Sequence, residues 1–543
     1  MSPTHVQSNS RPIRATAIRQ IPPLHIQCGF HYPAPTHDAH QHLAQSKVCR
    51  PNMFPSASLL RTKRTSMRRA NLLWVCFLLA SLETAFAQDS PKLDPEAKPR
   101  VIVLTDITNE PDDQQSMVRF LVYSNEYDVE GLIATTSTWL RDKTSSKNIR
   151  LCVDAYGEVQ RQLEKHAAGF PAAKSLRELI KDGKPKYGMT GVGEGNDSAG
   201  SRHIIKVVDA DDPRPVWVTA WGGANCLAQA LWRVKEERSE EELGKFVAKL
   251  RVYAISDQDD SGEWMRRTFP GLFYVVSPGS QSFKDYYQAT WTGISGDDFF
   301  LNGPGYRQEL VSNDWLKKHI REEHGPLGEL YLPIEYMMEG DTPSFFNLIN
   351  NGLGSHLSPG YGGWGGRYEL RKVAAGNGPI WTDGRDAVTL PDGKTYASNQ
   401  ATIWRWRVAY QHDFAARMDW CVKDPTEANH NPVVVVEGDK TKQVLRRNVT
   451  AGQKITLSAA GTADPDGDKL TYRWFHYPEA EYDLAHTRRS WSIKLTGEDT
   501  DKVSFVVPKA RYDHDKIHII LDVSDDGEPS LHAYRRVILT IRK

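Results

Sequence analysis

The run Thr105-Asp106-Ile107-Thr108-Asn109-Glu110-Pro111-Asp112-Asp113 crowds five acidic or amide side chains, Asp106, Asn109, Glu110, Asp112 and Asp113, into one short stretch. Carboxylates so close together repel, and each raises the pKa of the others. A hard cation relieves that repulsion, because Ca²⁺ accepts about six to eight oxygens from carboxylates, carbonyls, water or ligand hydroxyls. Helix capping explains Asp112 or Asp113 taken singly but leaves Asp106 without a role. The cluster is therefore read as a cation site.

Other stretches carry chemistry with a bland reading beside the functional one. Asp257, Asp259 and Asp260 in Ser256-Asp257-Gln258-Asp259-Asp260 either meet sugar hydroxyls or supply an acid, or they form a polar turn that caps a helix. Residues 358–368 set Tyr361, Trp364 and Tyr368 among five glycines. Flat rings on a flexible backbone suit the apolar faces of pyranoses, or they simply pack on the domain. Glu335 and Glu339 stand four apart, which on a helix gives one solvated face. Thr462-Ala463-Asp464-Pro465-Asp466-Gly467-Asp468 is an Asp/Gly turn with the composition of a structural calcium loop.

The elements around the acidic run position it. Arg100 to Leu104 reads as a buried strand, 112–125 as a helix and 129–135 as a second strand, a βαβ unit with a right-handed crossover. Strands follow at 214–220, 250–255 and 273–276, with helices between, so residues 99–424 are expected to form a doubly wound α/β domain on a mainly parallel sheet. Ligands of such sheets sit beyond the carboxyl ends of the strands, where the acidic run lies. From about residue 433 the pattern turns to short alternating strands at 433–436, 454–458, 471–475, 503–507, 517–523 and 536–541. These predict an immunoglobulin-like β-sandwich over 433–543, with Trp474 in its core.

The acidic run resembles the Asp-rich motif D-T-D-P-G-x-D-D of the nucleoside hydrolases, with Asp106, Asp112 and Asp113 on its last three acids. Val218-Thr219-Ala220-Trp221-Gly222-Gly223-Ala224-Asn225 resembles the family's G-P-L-T-N turn, and Asp341 in Glu339-Gly340-Asp341 its late acid. The resemblance implies Asp106, Asp113 and Asp341 as calcium ligands with the backbone carbonyl of Trp221. It makes Asp112, Asn109 and Asn225 contacts to sugar hydroxyls, joined by Asp257, Asp260 and Trp364 as substrate-binding candidates. In that family a metal-bound water loses its proton to a carboxylate and attacks the anomeric carbon, so Asp106 is the implied base. From about residue 99 to the end the chain is similar to the cellulose-binding Sde182-type proteins, a nucleoside-hydrolase-like domain followed by a sandwich. Two departures matter. Asp106 and Asp112 are separated by two more residues than in the hydrolase motif, and Gly340 stands where hydrolases often place a His that protonates the leaving base.

At 543 residues the chain exceeds a single domain, and its 68 basic residues balance 68 acidic ones, leaving no field that would draw it to nucleic acid. Met67-Arg68-Arg69, an apolar run over 72–80 and Ala85-Phe86-Ala87 read as a signal peptide at 67–87. Met67 is the expected start, residues 1–66 a misassigned or disordered leader, and 88–98 a linker. Export to the periplasm or beyond follows, with no membrane span in the mature chain. Cys152, Cys226 and Cys421, the cysteines beyond the signal, show neither disulfide nor zinc spacing. Two functions remain open: a secreted calcium-dependent hydrolase of glycosyl bonds in a carbohydrate or glycoside, or a non-catalytic protein that binds cellulose or another polysaccharide on the same fold.

Overall fold

The computed structural model describes residues 97–278, 283–371, 378–481, 491–510 and 515–542. The leader and signal peptide expected before residue 88 lie outside the described residues, which all fall in one compact unit, Phe86–Lys543.

The α/β part is built on eight strands: β1 (Arg100–Thr105), β2 (Asp128–Ala134), β3 (Ile180–Asp182), β4 (Val216–Ala220), β5 (Leu250–Ile255), β6 (Phe273–Ser277), β7 (Tyr368–Arg371) and β8 (Ile380–Asp383). Their order is β3-β2-β1-β4-β5-β6-β8-β7, parallel throughout except for the antiparallel β7–β8 pair. Every residue of β1 is buried, because helices cover both faces. Val101 and Val103 point into one core, shared with Met117 and Phe120 of α1 (Pro111–Val122). Ile102 and Leu104 point into the other, shared with Leu227 and Leu231 of the helix Asn225–Glu237. The expected doubly wound domain is therefore present. Its winding reverses between β1 and β4, and that switch point opens a crevice at the carboxyl ends of the two strands. The short β3 and the β7–β8 pair escape the sequence reading because their runs are brief and interrupted by polar residues.

A hairpin of β9 (Asp386–Thr389) and β10 (Thr395–Ser398) leads on to the helix Arg407–Asp419 and then the C-terminal module. There β11 (Leu445–Thr450), β13 (Thr471–His476), β15 (Lys516–Ser524) and β16 (His532–Arg542) form one sheet in the order β11-β16-β15-β13, and β12 (Lys454–Ser458) pairs with β14 (Lys502–Val506) in another. Side chains of both sheets, including Trp474, Leu457, Phe505 and Leu539, close one core. The segment expected as a strand at 433–436 makes only isolated bridges, Val433 with Ala463 and Val436 with Asp439. The first strand is instead β11, whose Arg447 and Asn448 mask it in sequence; it runs parallel to β16.

The module is packed tightly onto the α/β part. Arg536 is fully buried, donating to the carbonyls of Leu353 at 2.5 Å and Tyr361 at 2.7 Å. Gly352, at φ +94°, lies so close to the Tyr534 carbonyl that no side chain fits there. Trp364 is wedged in the same seam, its ring 5.8 Å from Phe346 and 6.4 Å from Tyr534. The glycine-rich loop is thus an interdomain joint, which corrects the reading of Trp364 as a sugar platform. Glu335 and Glu339 also depart from expectation, because residues 332–339 form a loop and Glu339 is fully buried against Arg119.

Candidate cation site at the switch point

Asp106 leaves the end of β1, and α1 begins five residues later with Pro111 in its first turn, where a missing N–H costs nothing. Asp112 and Asp113 occupy that first turn, favoured by the helix dipole. The longer loop between them turns through Thr108 at φ 117°, a conformation costly for a β-branched residue. It carries Asn109 and Glu110 to the cavity that Asp106 also lines.

Asp341 arrives from the opposite side, at the start of the helix Thr342–Phe346. Two contacts fix it. The Arg119 guanidinium from α1 pairs with Glu339 at 2.5 Å, with both side chains fully buried. Ser344 donates to the Asp341 carbonyl at 2.7 Å while accepting the Trp221 indole N–H at 3.0 Å, tying the Asp341 turn to the end of β4.

Carboxylate oxygens of Asp112, Asp113 and Asp341 all lie within 4.8 Å of one another. They border a cavity of about 20 Å³ shared with Asp106, Asn109, Glu110, Gln258 and Gly340, roofed by Trp139, Tyr286 and Trp291. No lysine, arginine or histidine among the described residues lines it. Thr105 donates a short hydrogen bond to Asp113 Oδ1, whereas Asp341 Oδ2 is buried without a partner.

The electrostatics follow from burial and crowding. Burial, then the Asp106 charge, lifts Asp112 to about 7. Burial, then Asp112 and Asp106, lifts Glu110 to about 8. Asp113 and Asp341 are pushed well above the carboxylate range, first by burial and then by their acidic neighbours. Asp106 is raised by burial, offset in part by the Ser137 hydroxyl.

The donor set fits a divalent cation. Oxygens bound to one Ca²⁺ at about 2.3–2.6 Å stand no more than about 5 Å apart, and the cavity has the volume of about one water. The cluster that the geometry draws tightest includes Asp112 alongside Asp113 and Asp341, with Asp106 on the adjoining wall under Gly222. The Trp221 carbonyl accepts the Gln258 amide at 2.6 Å, which leaves it one lone pair.

Other sequence candidates fall elsewhere. Asn225 spends its amide on the Lys186 carbonyl at 2.6 Å and Thr136 at 3.2 Å. Asp257 is held by Arg266 in a two-pronged ion pair at 2.7 and 2.8 Å, and Asp260 accepts the Met189 N–H at 2.8 Å. Asp259 turns inward against Gly223 with one oxygen unpartnered, and burial brings it to about 6. The residue of that motif which does reach the cavity is Gln258. Trp139, Tyr286 and Trp291 were not legible as site residues, although each follows a strand of the same sheet edge, β2 or β6.

Residues 100–368 match the profile of the cellulose-binding Sde182, nucleoside hydrolase-like domain, and residues 454–541 that of the cellulose-binding protein Sde0182, C-terminal domain. A solved structure of a nucleoside hydrolase-related hypothetical protein from Saccharophagus degradans, described as associated with carbohydrate metabolism, is 36% identical, with a TM-score of 0.68 over 82% of this chain and 100% of that chain. This chain belongs to the Sde182 family. The Sde182 likeness spans both the α/β part and the sandwich. The type III effector XopQ, solved with adenosine diphosphate ribose, is 10% identical with a TM-score of 0.26 over 53% of this chain and 88% of that one, too remote to carry an argument. No curated protein matches the Sde182-type chain at a significant level.

Proposed function

We propose that this chain is an exported carbohydrate-binding protein that presents a calcium ion to sugar hydroxyls from a nucleoside-hydrolase-like fold. The carrying observation is the size of the acid-lined cavity, about 20 Å³. Pockets that engulf a small ligand run to roughly 300–1,000 Å³. A cavity of this size takes an ion, and a sugar must meet it at the entrance. Asp112, Asp113 and Asp341 would hold the ion, with Asp106 and the Trp221 carbonyl beside it. Bound Ca²⁺ supplies coordination positions for vicinal hydroxyls beyond those the protein fills. The cellulose-binding description of the family supports a polysaccharide as the partner.

Calorimetric titration of Ca²⁺, then of cello-oligosaccharides with and without chelator, tests this reading. Saccharide binding that needs Ca²⁺ and is lost in Asp113→Ala is expected. Equal affinity in chelator sinks it.

One observation favours turnover as a second reading. Asp106, Asp112 and Asp113, which match the last three acids of the hydrolase motif, line one cavity with the late acid Asp341. Asp106 would then take a proton from water, and Glu110, which lines the same cavity, would stand in for the missing His. Release of reducing ends from a glycan panel by the Ca²⁺-loaded chain, abolished in Asp106→Asn, would decide for hydrolysis.

A further inference from the structure

Two histidines meet where the segment leading into the C-terminal module leaves the α/β part. His166, the last residue of the helix Ser146–His166, has its Nδ1 3.0 Å from Nε2 of His430. Its other nitrogen, Nε2, faces the Lys423 carbonyl at 2.9 Å. His430 turns Nδ1 to both oxygens of Asp466, at 3.1 Å each, in the loop between β12 and β13, and its backbone N–H donates to the same carboxylate at 2.8 Å. A carbonyl and a carboxylate only accept, so each outer nitrogen carries a proton. In neutral rings the two inner nitrogens are then bare, and a 3.0 Å contact between them needs one further proton. Three N–H protons on two rings amount to one positive charge.

The surroundings suit that charge. Trp420 lies flat on both imidazoles, 5.3 Å from the His166 ring and 5.2 Å from the His430 ring, and an indole face attracts a cation. His166 also stands at a helix C-terminus, where positive charge is favoured. The other charged groups nearby are engaged or stand off. Lys165 pairs with Asp424 at 2.6 Å and Lys423 with Asp419 at 3.0 Å, while Arg417, over Trp420, is held by Asp413 at 3.0 Å. Glu427, Asp468 and Glu528 line a groove of about 730 Å³ that both histidines border, through which solvent reaches the pair.

We propose that His166 and His430 share a single proton and form a pH-sensitive latch, which fastens the C-terminal module to the α/β part and loosens when that proton is lost or a second is added. Loss leaves two lone pairs facing each other, and addition leaves two N–H groups and two charges facing. The sign of the pH dependence follows from proton counting. Two free histidines in an unfolded chain hold one proton between them at about pH 6.5, the ordinary imidazole value. Below that pH the unfolded chain binds more protons than the latch, so stability rises with pH; above it the unfolded chain binds fewer, and stability falls. The latch therefore contributes most near the ordinary imidazole value. Burial, and the neighbouring His430, hold His166 below the usual imidazole range, in keeping with refusal of a second proton.

The test is a double-mutant cycle on the full chain in chelator, with wild type, His166→Gln, His430→Gln and the double variant unfolded in urea from about pH 4.5 to about pH 9. The acid cavity titrates in all four chains and cancels. Coupling between the two positions is expected to reach roughly five- to tenfold in the unfolding constant near pH 6.5 and to vanish toward both ends. Hydrogen exchange at the same pH should be faster over residues 424–432 and 462–470 in either single variant. Coupling that is flat or monotonic in pH overturns the shared proton, and no coupling at any pH overturns the latch. Where a variant does not fold, nitrogen NMR of the histidine-labelled wild type decides. Two titration steps, one below and one above the ordinary imidazole value, are expected for this pair; a single joint step at that value overturns the proposal.

Discussion

Gly340 lies against Asp112: a β-carbon at position 340 would stand 2.8 Å from Asp112 Oδ2, with the Trp291 ring 3.2 Å away on its other side. The Gly340 N–H also bonds to that carboxylate. The position where a nucleoside hydrolase often carries its acid is thus filled by an indole ring and a carboxylate, and the glycine is required by their closeness. Gly340→Ala should displace Asp112 and weaken Ca²⁺ binding at least tenfold by calorimetry. Gly340→His should fail to create nucleoside hydrolysis, because the imidazole cannot enter without expelling Trp291. Base release from inosine or uridine by the His variant would refute this account.

Arg119 and Glu339 join α1 to the turn that delivers Asp341. The pair is fully buried, and Tyr331 at 2.5 Å and Thr342 at 2.9 Å complete the bonding of Glu339. Removing one member strands the other charge in a dry core, which costs about 3–5 kcal/mol. Arg119→Ala should therefore lower denaturant stability by that order. Glu339→Gln, which keeps the shape and part of the bonding, should cost less but still weaken Ca²⁺ binding, because Asp341 is two residues away. Unchanged stability in Arg119→Ala would show that the pair is not holding the turn.

The strong periodicities were legible in sequence. The unbroken apolar run of β1 gave the parallel sheet, and the acids after it gave the edge where the cavity lies. Asp257, Asp260 and Asn225 misled because a polar residue at a strand end looks the same whether it faces a ligand or an Arg266. Trp291 and Tyr286 were invisible for the opposite reason. Nothing in an aromatic residue's neighbours tells whether it will roof a cavity or enter a core, since long-range packing alone decides. Glu339 shows the same limit: spacing placed it on a solvated face, and a partner far away in sequence, Arg119, buried it.

Trp364 separates stability from ligand binding. It fills the seam between Phe346 and Tyr534 and is almost fully enclosed. Trp364→Ala should cost about 3–5 kcal/mol through the cavity left behind. Where the variant remains folded, its affinity for Ca²⁺ and for glycan should equal that of the wild type. Thermal unfolding and calorimetry on the same preparation check both halves. A loss of glycan affinity without a loss of stability would return this ring to the binding surface.

The acid cluster should make the cation-free protein less stable as pH rises. Glu110, lifted from 4.5 to about 8, and Asp112, lifted from 3.8 to about 7, hold protons in the folded chain that the unfolded chain has released. Their contribution is fully present below about pH 4 and is lost as pH climbs through 7 and 8. In chelator the unfolding midpoint should fall between pH 5 and pH 8.5. On the calcium reading, Ca²⁺ would be held by the deprotonated acids and should reverse that fall, adding about 2.7 kcal/mol at a hundredfold excess over Kd. Asp113→Asn keeps the Thr105 contact but removes one charge from the cluster. It should flatten the chelator profile, raise the midpoint at pH 8, and abolish the gain from Ca²⁺. An asparagine that destabilises the cation-free chain at pH 8 would mean that crowding of like charge is not what the folded state works against here, and the argument for a cation as its relief would fall.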